Sequence, residues 1–230
     1  TDGSNNPLCY SPVWVHGLDA GEVARCIWKG WLPEATRNAF IDWCGSYAVV
    51  EKVVVWLSLI HDIGKATPAF QSKAISLAEA DCEEGLNVPL RQLKSTSHAS
   101  LGQVILEKWL DGRGWRYPNT YAVVVGGHHG CPPDRSELDN IVHDAKPAEM
   151  IGGPEWRAVQ KELLDSAWSY SGMDCHEELL SEMPLPPQLQ VELTGIVIMA
   201  DWIASNSDLF PLSSSISGPE ECTTRAHEAW

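Results

Sequence analysis

The sequence predicts an all-α fold, and three observations carry that expectation. Apolar residues recur at helical spacing in the segments around residues 16–31, 97–110, 154–171 and 188–205. The most apolar stretch, Tyr47 to Asp62, is rich in β-branched residues, yet its 16 residues exceed an ordinary strand, so length decides for a buried helix. Proline and glycine fall mainly between these segments rather than inside them.

Taken in order, residues 1 to 12 form an extended, proline-punctuated lead-in. A helix is expected over His16 to Trp31, with Leu18, Val23, Cys26 and Ile27 as its apolar positions. A second starts near Pro33, a residue tolerated in a first helical turn, and ends near Gly45. Tyr47 to Asp62 follows as the buried helix, with Gly64 suited to its C-terminus. Pro68 to Ala80 reads as a short helix, and Asp81 to Ser97 as an irregular, mobile loop over a site. Ser97 caps a helix to Leu110 whose Leu101, Val104, Ile105 and Leu110 share one face. Tyr121 to Gly127 then runs into His128-His129-Gly130, and residues 133 to 153 read as a short helix plus loop. Pro154 to Ser171 is amphipathic, and after Pro184, Pro186 and Pro187 a long helix spans Gln188 to Ser205. On it Leu189, Leu193, Ile196, Ala200 and Ile203 form a stripe, with Asp201 on a neighbouring face. Pro219 to Trp230 looks like a helix cut short. With no internal repeat and no compositional break, the expectation is one compact domain over residues 1–230, its core at about 10–212.

Composition narrows the function. The chain has 230 residues, 44% of them apolar, enough for a sizeable core. No uncharged apolar run reaches about 18 residues, so no membrane span is expected, and the N-terminus has no signal-peptide pattern. Seven scattered cysteines without a C-x-x-C pair argue against a disulfide framework and for a reducing cytosol; most read as small buried apolar residues. The net charge of −15, with no Lys/Arg block, counts against tight autonomous binding of nucleic acid by phosphate neutralisation. It leaves chemistry on phosphate open. A G-x-S-x-G elbow is absent, as is a Walker-type phosphate loop. Eleven tryptophans point to core packing, with Trp202, beside Asp201, singled out as a place for a base to stack.

The chemistry concentrates on histidine and aspartate. His16, His61, His98, His128 and His129 fall at helix ends or beside glycine, and Asp62 and Asp201 complete a set of candidate metal ligands. Two divalent ions about 3.5–4 Å apart need roughly this many donors, with one carboxylate bridging them. Adjacent residues on a helix point about 100° apart, so the doublets His61-Asp62 and His128-His129 converge on one site only near a helix end. Mixed nitrogen and oxygen donors favour Fe, Mn, Co or Ni over Mg, with Zn a further option. Plainer roles exist for each group: a helix-end hydrogen bond for His61 and Asp62, a solvated loop for His128 and His129, a solvated Lys65. Asp19 is expected to accept from the second ring nitrogen of His16.

His16, His61-Asp62, His98, His128-His129 and Asp201, in this order, resemble the HD phosphohydrolase superfamily. The string Ile60-His61-Asp62-Ile63-Gly64-Lys65-Ala66-Thr67-Pro68-Ala69-Phe70-Gln71, with Gly127-His128-His129-Gly130 and Ala200 to Asn206, is similar to the HD nuclease domain of the type I CRISPR-associated nuclease–helicase. That resemblance implies a single helical HD-type domain with a metal site between helices. It implies that His16, His61, Asp62 and Asp201 hold one divalent transition-metal ion, and His98, His128 and His129, with Asp62 as bridge, a second. Catalysis falls to His61, Asp62 and Lys65, with Lys65 on the scissile phosphate or a bound anion. Ser205 and Asn206 touch substrate or orient Asp201. The implied function is a metal-dependent single-stranded DNA nuclease of CRISPR interference, cytoplasmic, hydrolysing phosphodiesters by a two-metal-activated water. The implied partners are single-stranded DNA, a helicase domain in cis or trans and a CRISPR surveillance (Cascade) complex, with no membrane. The chain reads as a stand-alone nuclease subunit or, in preference, as a fragment cut before the motor, in which case the C-terminal segment begins a linker toward that helicase. Two alternatives stay open: an HD-family nucleotide or cyclic-dinucleotide phosphohydrolase, and a non-catalytic module whose site serves docking.

Overall fold

In a computed structural model, residues 11–212, except 92, 94, 95 and 145, and residues 219–230 are described. Cys9 and most of the expected lead-in lie outside them. The described residues form helices with no strand. In order these are α1 (Val13–Cys26), α2 (Glu34–Cys44), α3 (Tyr47–Leu59), α4 (Pro68–Gln71), α5 (Ile75–Glu83), α6 (His98–Gly112) and α7 (Pro118–Gly126). They continue as α8 (Arg135–Val142), α9 (Pro147–Met150), α10 (Pro154–Ser171), α11 (Glu177–Ser181), α12 (Pro187–Ala204) and α13 (Pro219–Ala229).

The buried helix α3 is the axis of the core. Val50, Val53, Val54, Val55, Trp56 and Leu57 are all essentially inaccessible, which explains why its apolar residues run round the helix instead of along one stripe. Ser46 starts it, its Oγ accepting from the Val49 amide at 3.4 Å. Helices α1, α10 and α12 pack on α3, and α7 on both α6 and α12. The crossing of α1 over α3 is close because Gly17 has no side chain: a Cβ there would lie 2.3 Å from the Leu59 carbonyl oxygen. One end of the core is aromatic, with Trp56, Trp109, Trp115, Trp168 and Tyr121 in mutual ring contact. The expectation that tryptophans serve the core holds for these; Trp202 is 73% exposed.

The structure departs from the expected elements in several places. Helix α1 starts at Val13, and its last turn, Ile27–Trp31, widens into a π-helix. The expected helix from Pro68 to Ala80 is broken into α4 and α5 by a turn at Ser72-Lys73-Ala74. The expected mobile loop from Asp81 begins as the end of α5, and its described part is anchored. Val88 is buried with Ala78 and Trp156, the Trp156 indole donates to the Asn87 carbonyl at 3.0 Å, and Arg91 pairs with Glu149. Residues 133–153 hold two short helices, α8 and α9. Of the six described cysteines, all free, Cys26, Cys44 and Cys222 are buried but Cys82, Cys131 and Cys175 are exposed, so burial accounts for only half of them.

Candidate metal centre

Five elements bring their ends to one place. His16 comes from the first turns of α1 and Asp201 from the last turn of α12. His61 and Asp62 sit in the turn after α3, His98 opens α6, and His128 and His129 sit in the turn after α7. The close α1–α3 crossing puts the His16 and His61 rings 5.2 Å apart, and the His61 and His128 rings are 5.1 Å apart. All the residues singled out as candidate ligands therefore meet in one cluster.

Asp62 is its centre. Its Oδ2 lies 3.4 Å from His61 Nε2, 3.5 Å from His16 Nε2 and 2.5 Å from Lys65 Nζ. Its Oδ1 lies 3.0 Å from His98 Nε2 and 3.7 Å from His128 Nε2. Behind Oδ2, His16, His61 and Asp201 offer donor atoms within 4.8 Å of one another, and behind Oδ1, His98, His128 and His129 do the same. Each oxygen of the carboxylate thus approaches two ring nitrogens of one three-donor group.

Local structure fixes which ring nitrogens face the site. A helix leaves its last carbonyls without intrahelical partners. The His61 Nδ1–H donates to the Ser58 carbonyl at 2.6 Å, and the His128 Nδ1–H donates to the Val125 carbonyl at 2.6 Å. With that tautomer each ring presents an Nε2 lone pair inward. His61 Nε2 is fully buried and has no hydrogen-bond partner. Such an orphan in a set of imidazoles and carboxylates fits a divalent ion, which would satisfy it.

The electrostatics agree with a site built to hold positive charge. Burial opposes ionisation of Asp62, yet His61, His98, Lys65 and His16 around it hold its carboxyl well below the usual range. Burial likewise opposes ionisation of Asp201, but the hydrogen bond with His16 and the closeness of His61, 3.4 Å away, overcome it and hold that carboxyl low as well. Burial and then the nearby His61 push His128 down to about 3. His61 moves the other way: its burial disfavours the cation, but Asp62 and Asp201 raise it.

The rest of the string around His61 builds the turn. Gly64 touches the start of α6, and a Cβ there would lie 1.8 Å from the His98 carbonyl oxygen. The Thr67 hydroxyl donates to the Gly64 carbonyl at 2.8 Å and caps α4 by accepting from Phe70 N. The Gln71 amide donates to the Lys65 carbonyl at 2.9 Å. Lys65 is thereby held over Asp62. Ser205 Oγ donates to Asp201 Oδ1 at 3.1 Å, while Asn206 is exposed and its Oδ1 accepts from the Asp208 amide.

Two features escaped the sequence. Asp19 does not serve His16: it pairs with Arg225 of α13 at 3.1 Å. Gln160 of α10, buried, donates to the Ala66 carbonyl at 2.8 Å and so braces the turn from behind. Neither contact has a local signal, since each joins helices far apart in the chain.

A cavity of about 220 Å³ opens beside Asp62, lined by His16, Lys65, Ser205, Asp19 and Arg225 among others. Larger clefts of about 540 and 400 Å³ lie elsewhere and share no lining residue with the histidine cluster.

An all-helical body whose central helix ends in a buried His-Asp doublet, ringed by histidines and a late aspartate, defines the HD class of domain. The family described as "Cas3, HD domain" matches residues 1–210, and the chain belongs to that family. The chain is 29% identical to the CRISPR-associated nuclease/helicase Cas3 of Streptococcus thermophilus over 91% of its own length and 24% of that protein's. It is 26% identical to the CRISPR-associated endonuclease/helicase Cas3 of Thermus thermophilus, over 90% of its own length and 22% of that protein's. It therefore spans about a quarter of the length of these curated relatives. The crystal structure of the Thermus thermophilus Cas3 HD domain in the presence of Ni2+ shares the fold with a TM-score of 0.71 at 22% identity, covering 98% of this chain and 86% of that one.

Proposed function

We propose that the chain is a metal-dependent nuclease of CRISPR interference that hydrolyses phosphodiesters of single-stranded DNA. One observation carries the reading: each oxygen of Asp62 approaches two ring nitrogens from a different group of three donors, which suits a carboxylate shared between two ions. His16, His61 and Asp201 would hold one ion, and His98, His128 and His129 the other. Their mixed nitrogen and oxygen character favours Fe, Mn, Co or Ni, and a related HD domain was crystallised in the presence of Ni2+. Two such ions, when bound, would supply a nucleophile at neutral pH and offset charge developing on the phosphate.

The remaining steps belong to side chains. His61 and His128 turn Nε2 toward the site, because Nδ1–H is committed to a helix-end carbonyl. Lys65, 2.5 Å from Asp62, stands where it can pass from that carboxylate to a non-bridging phosphate oxygen. Ser205 keeps Asp201 turned inward, and Asn206 stands at the exposed rim.

The net charge of −15 argues for a delivered substrate. The curated relatives are named as nuclease/helicase proteins, so the strand would come from a helicase in cis or trans acting with a CRISPR surveillance complex. A single strand bends into a recessed site where a stiff duplex does not.

The test is to load the purified chain with Mn, Co or Ni and offer circular single-stranded DNA beside mononucleotides and cyclic dinucleotides. Linearised and shortened circles are expected. Turnover of the small nucleotides alone would replace this reading with a nucleotide phosphohydrolase, and no turnover of any of them would favour a docking module.

A further inference from the structure

The cavity beside Asp62 contains a cation that the family match does not reach. The match ends at residue 210, whereas Arg225 lies on α13, which packs back onto α1. Cys222 and Ala226 of α13 are buried, so the helix is seated there by apolar packing on either side of Arg225. The Arg225 side chain is only 15% exposed and lines the same cavity as His16, Asp62, Lys65 and Ser205.

Its hydrogen bonds are incomplete. Nη2 lies 3.1 Å from Asp19 Oδ2 and donates to the Pro211 carbonyl at 3.1 Å. Nε is buried and has no partner. A guanidinium is a planar fork of five N–H donors suited to grip two oxygens of one phosphate. Here Asp19 and Pro211 hold one arm and leave donor capacity unspent. Asp19 is also one helical turn from His16, which ties this arm to the wall of the metal site.

We propose that Arg225 is a second phosphate-binding residue, contacting a backbone phosphate next to the scissile one, with Lys65 the other lysine or arginine lining the cavity. The inference rests on the nuclease reading above and adds a subsite to it. In a chain with 31 acidic and 16 basic side chains, two cations walling one small cavity are the means by which a single strand is held at the metals. The rival is a purely structural clasp, in which the Arg225–Asp19 pair only fastens α13 to α1.

The experiment uses the whole chain in EDTA, so that nothing is cut, titrated with a fluorescent oligothymidylate over a range of low salt concentrations. R225Q is expected to weaken binding about tenfold, the loss of one charge-assisted contact. It should also lower the slope of log affinity against log salt by about 0.7. D19N is expected to act in the opposite direction, tightening binding, because the guanidinium is no longer neutralised. A metal-loaded assay should show R225Q raising KM with kcat little changed. If R225Q does not fold, R225K is used: charge is kept, so the salt slope should match wild type while the lost fork weakens binding. Wild-type affinity and salt slope in R225Q, or R225Q and D19N shifting affinity the same way, would make the pair a clasp and overturn this inference, leaving the nuclease reading intact. Absence of both oligonucleotide binding and cutting by the wild-type chain would overturn both.

Discussion

His98 Nε2 lies 3.0 Å from Oδ1 of Asp62, joining the first residue of α6 to the turn after α3 through a carboxylate that is 2% exposed. His16 and His61 approach the other oxygen of the same group. One side chain therefore connects both donor groups, and on the proposed reading its removal takes a candidate ligand from each. Asp62→Ala should cut DNA cleavage by more than about a hundredfold, the upper range reached when only an outer partner of a ligand is changed. Rates on circular single strands after rigorous repurification check this. Wild-type turnover in the variant would detach the chemistry from Asp62.

Ser205→Ala removes the hydrogen bond to Asp201 Oδ1 but no donor atom. The expected outcome is about a tenfold loss of metal affinity with the fold retained. Calorimetric titration of the metal-free chain measures it, and an unchanged affinity would reduce Ser205 to a helix-end residue.

Gly64→Ala tests the packing that positions His98. A Cβ would sit 1.8 Å from the His98 carbonyl oxygen and 2.7 Å from the Gly102 amide nitrogen, both backbone atoms that cannot swing away. The variant should lose about 1–3 kcal/mol or more of stability, and the His98, His128 and His129 group should lose metal first. Denaturant unfolding and metal titration together decide this; a fully stable variant with both ions bound would refute it.

Acid should destabilise the metal-free chain. His128 is held at about 3 instead of 6.5 by burial and by His61. Between those values the unfolded chain takes up a proton that the folded one refuses, so stability falls with falling pH, by about 1.4 kcal/mol per pH unit for one group. Asp62 and Asp201, depressed below 3.8, add stability that is complete above that value and lost as the pH falls through their folded values. His61 acts in a separate window: raised above 6.5, its contribution is complete below 6.5 and fades as the pH rises through its folded value. Urea unfolding in EDTA between pH 4 and 6.5 should show the acid loss, flattened in His128→Gln. Stability that increases on acidification across that range would contradict the assignment. Metal loading should also weaken in acid through His61, whose raised value obliges an incoming ion to displace its proton, since imidazoles ligate only when neutral.

Much of the site was legible because its signals are local. A His-Asp or His-His doublet converges on one point only where a helix stops, and the glycines after each doublet mark those stops. Both doublets do lie in turns, after α3 and after α7. The long helices were legible from their apolar spacing, and the buried α3 from its length. What failed was set by partners distant in sequence. Asp19 has a histidine three residues away and was assigned to it, yet a guanidinium from α13 is the stronger partner for a buried carboxylate. The segment after Glu83 is polar enough to read as a loose loop, and partners distant in sequence, Trp156 on Asn87 and Glu149 on Arg91, show where it is anchored. The break between α4 and α5 falls where the Ser72 hydroxyl donates back to the Ala69 carbonyl, a local cue too weak to overrule the helical composition around it.

The central claim is that one carboxylate bridges two cations between histidine groups, and metal content tests it most directly. Elemental analysis of anaerobically prepared, reconstituted chain should find two transition-metal ions in the wild type and markedly fewer in Asp62→Ala. Equal metal in both proteins, or none bound by the wild type, would contradict it.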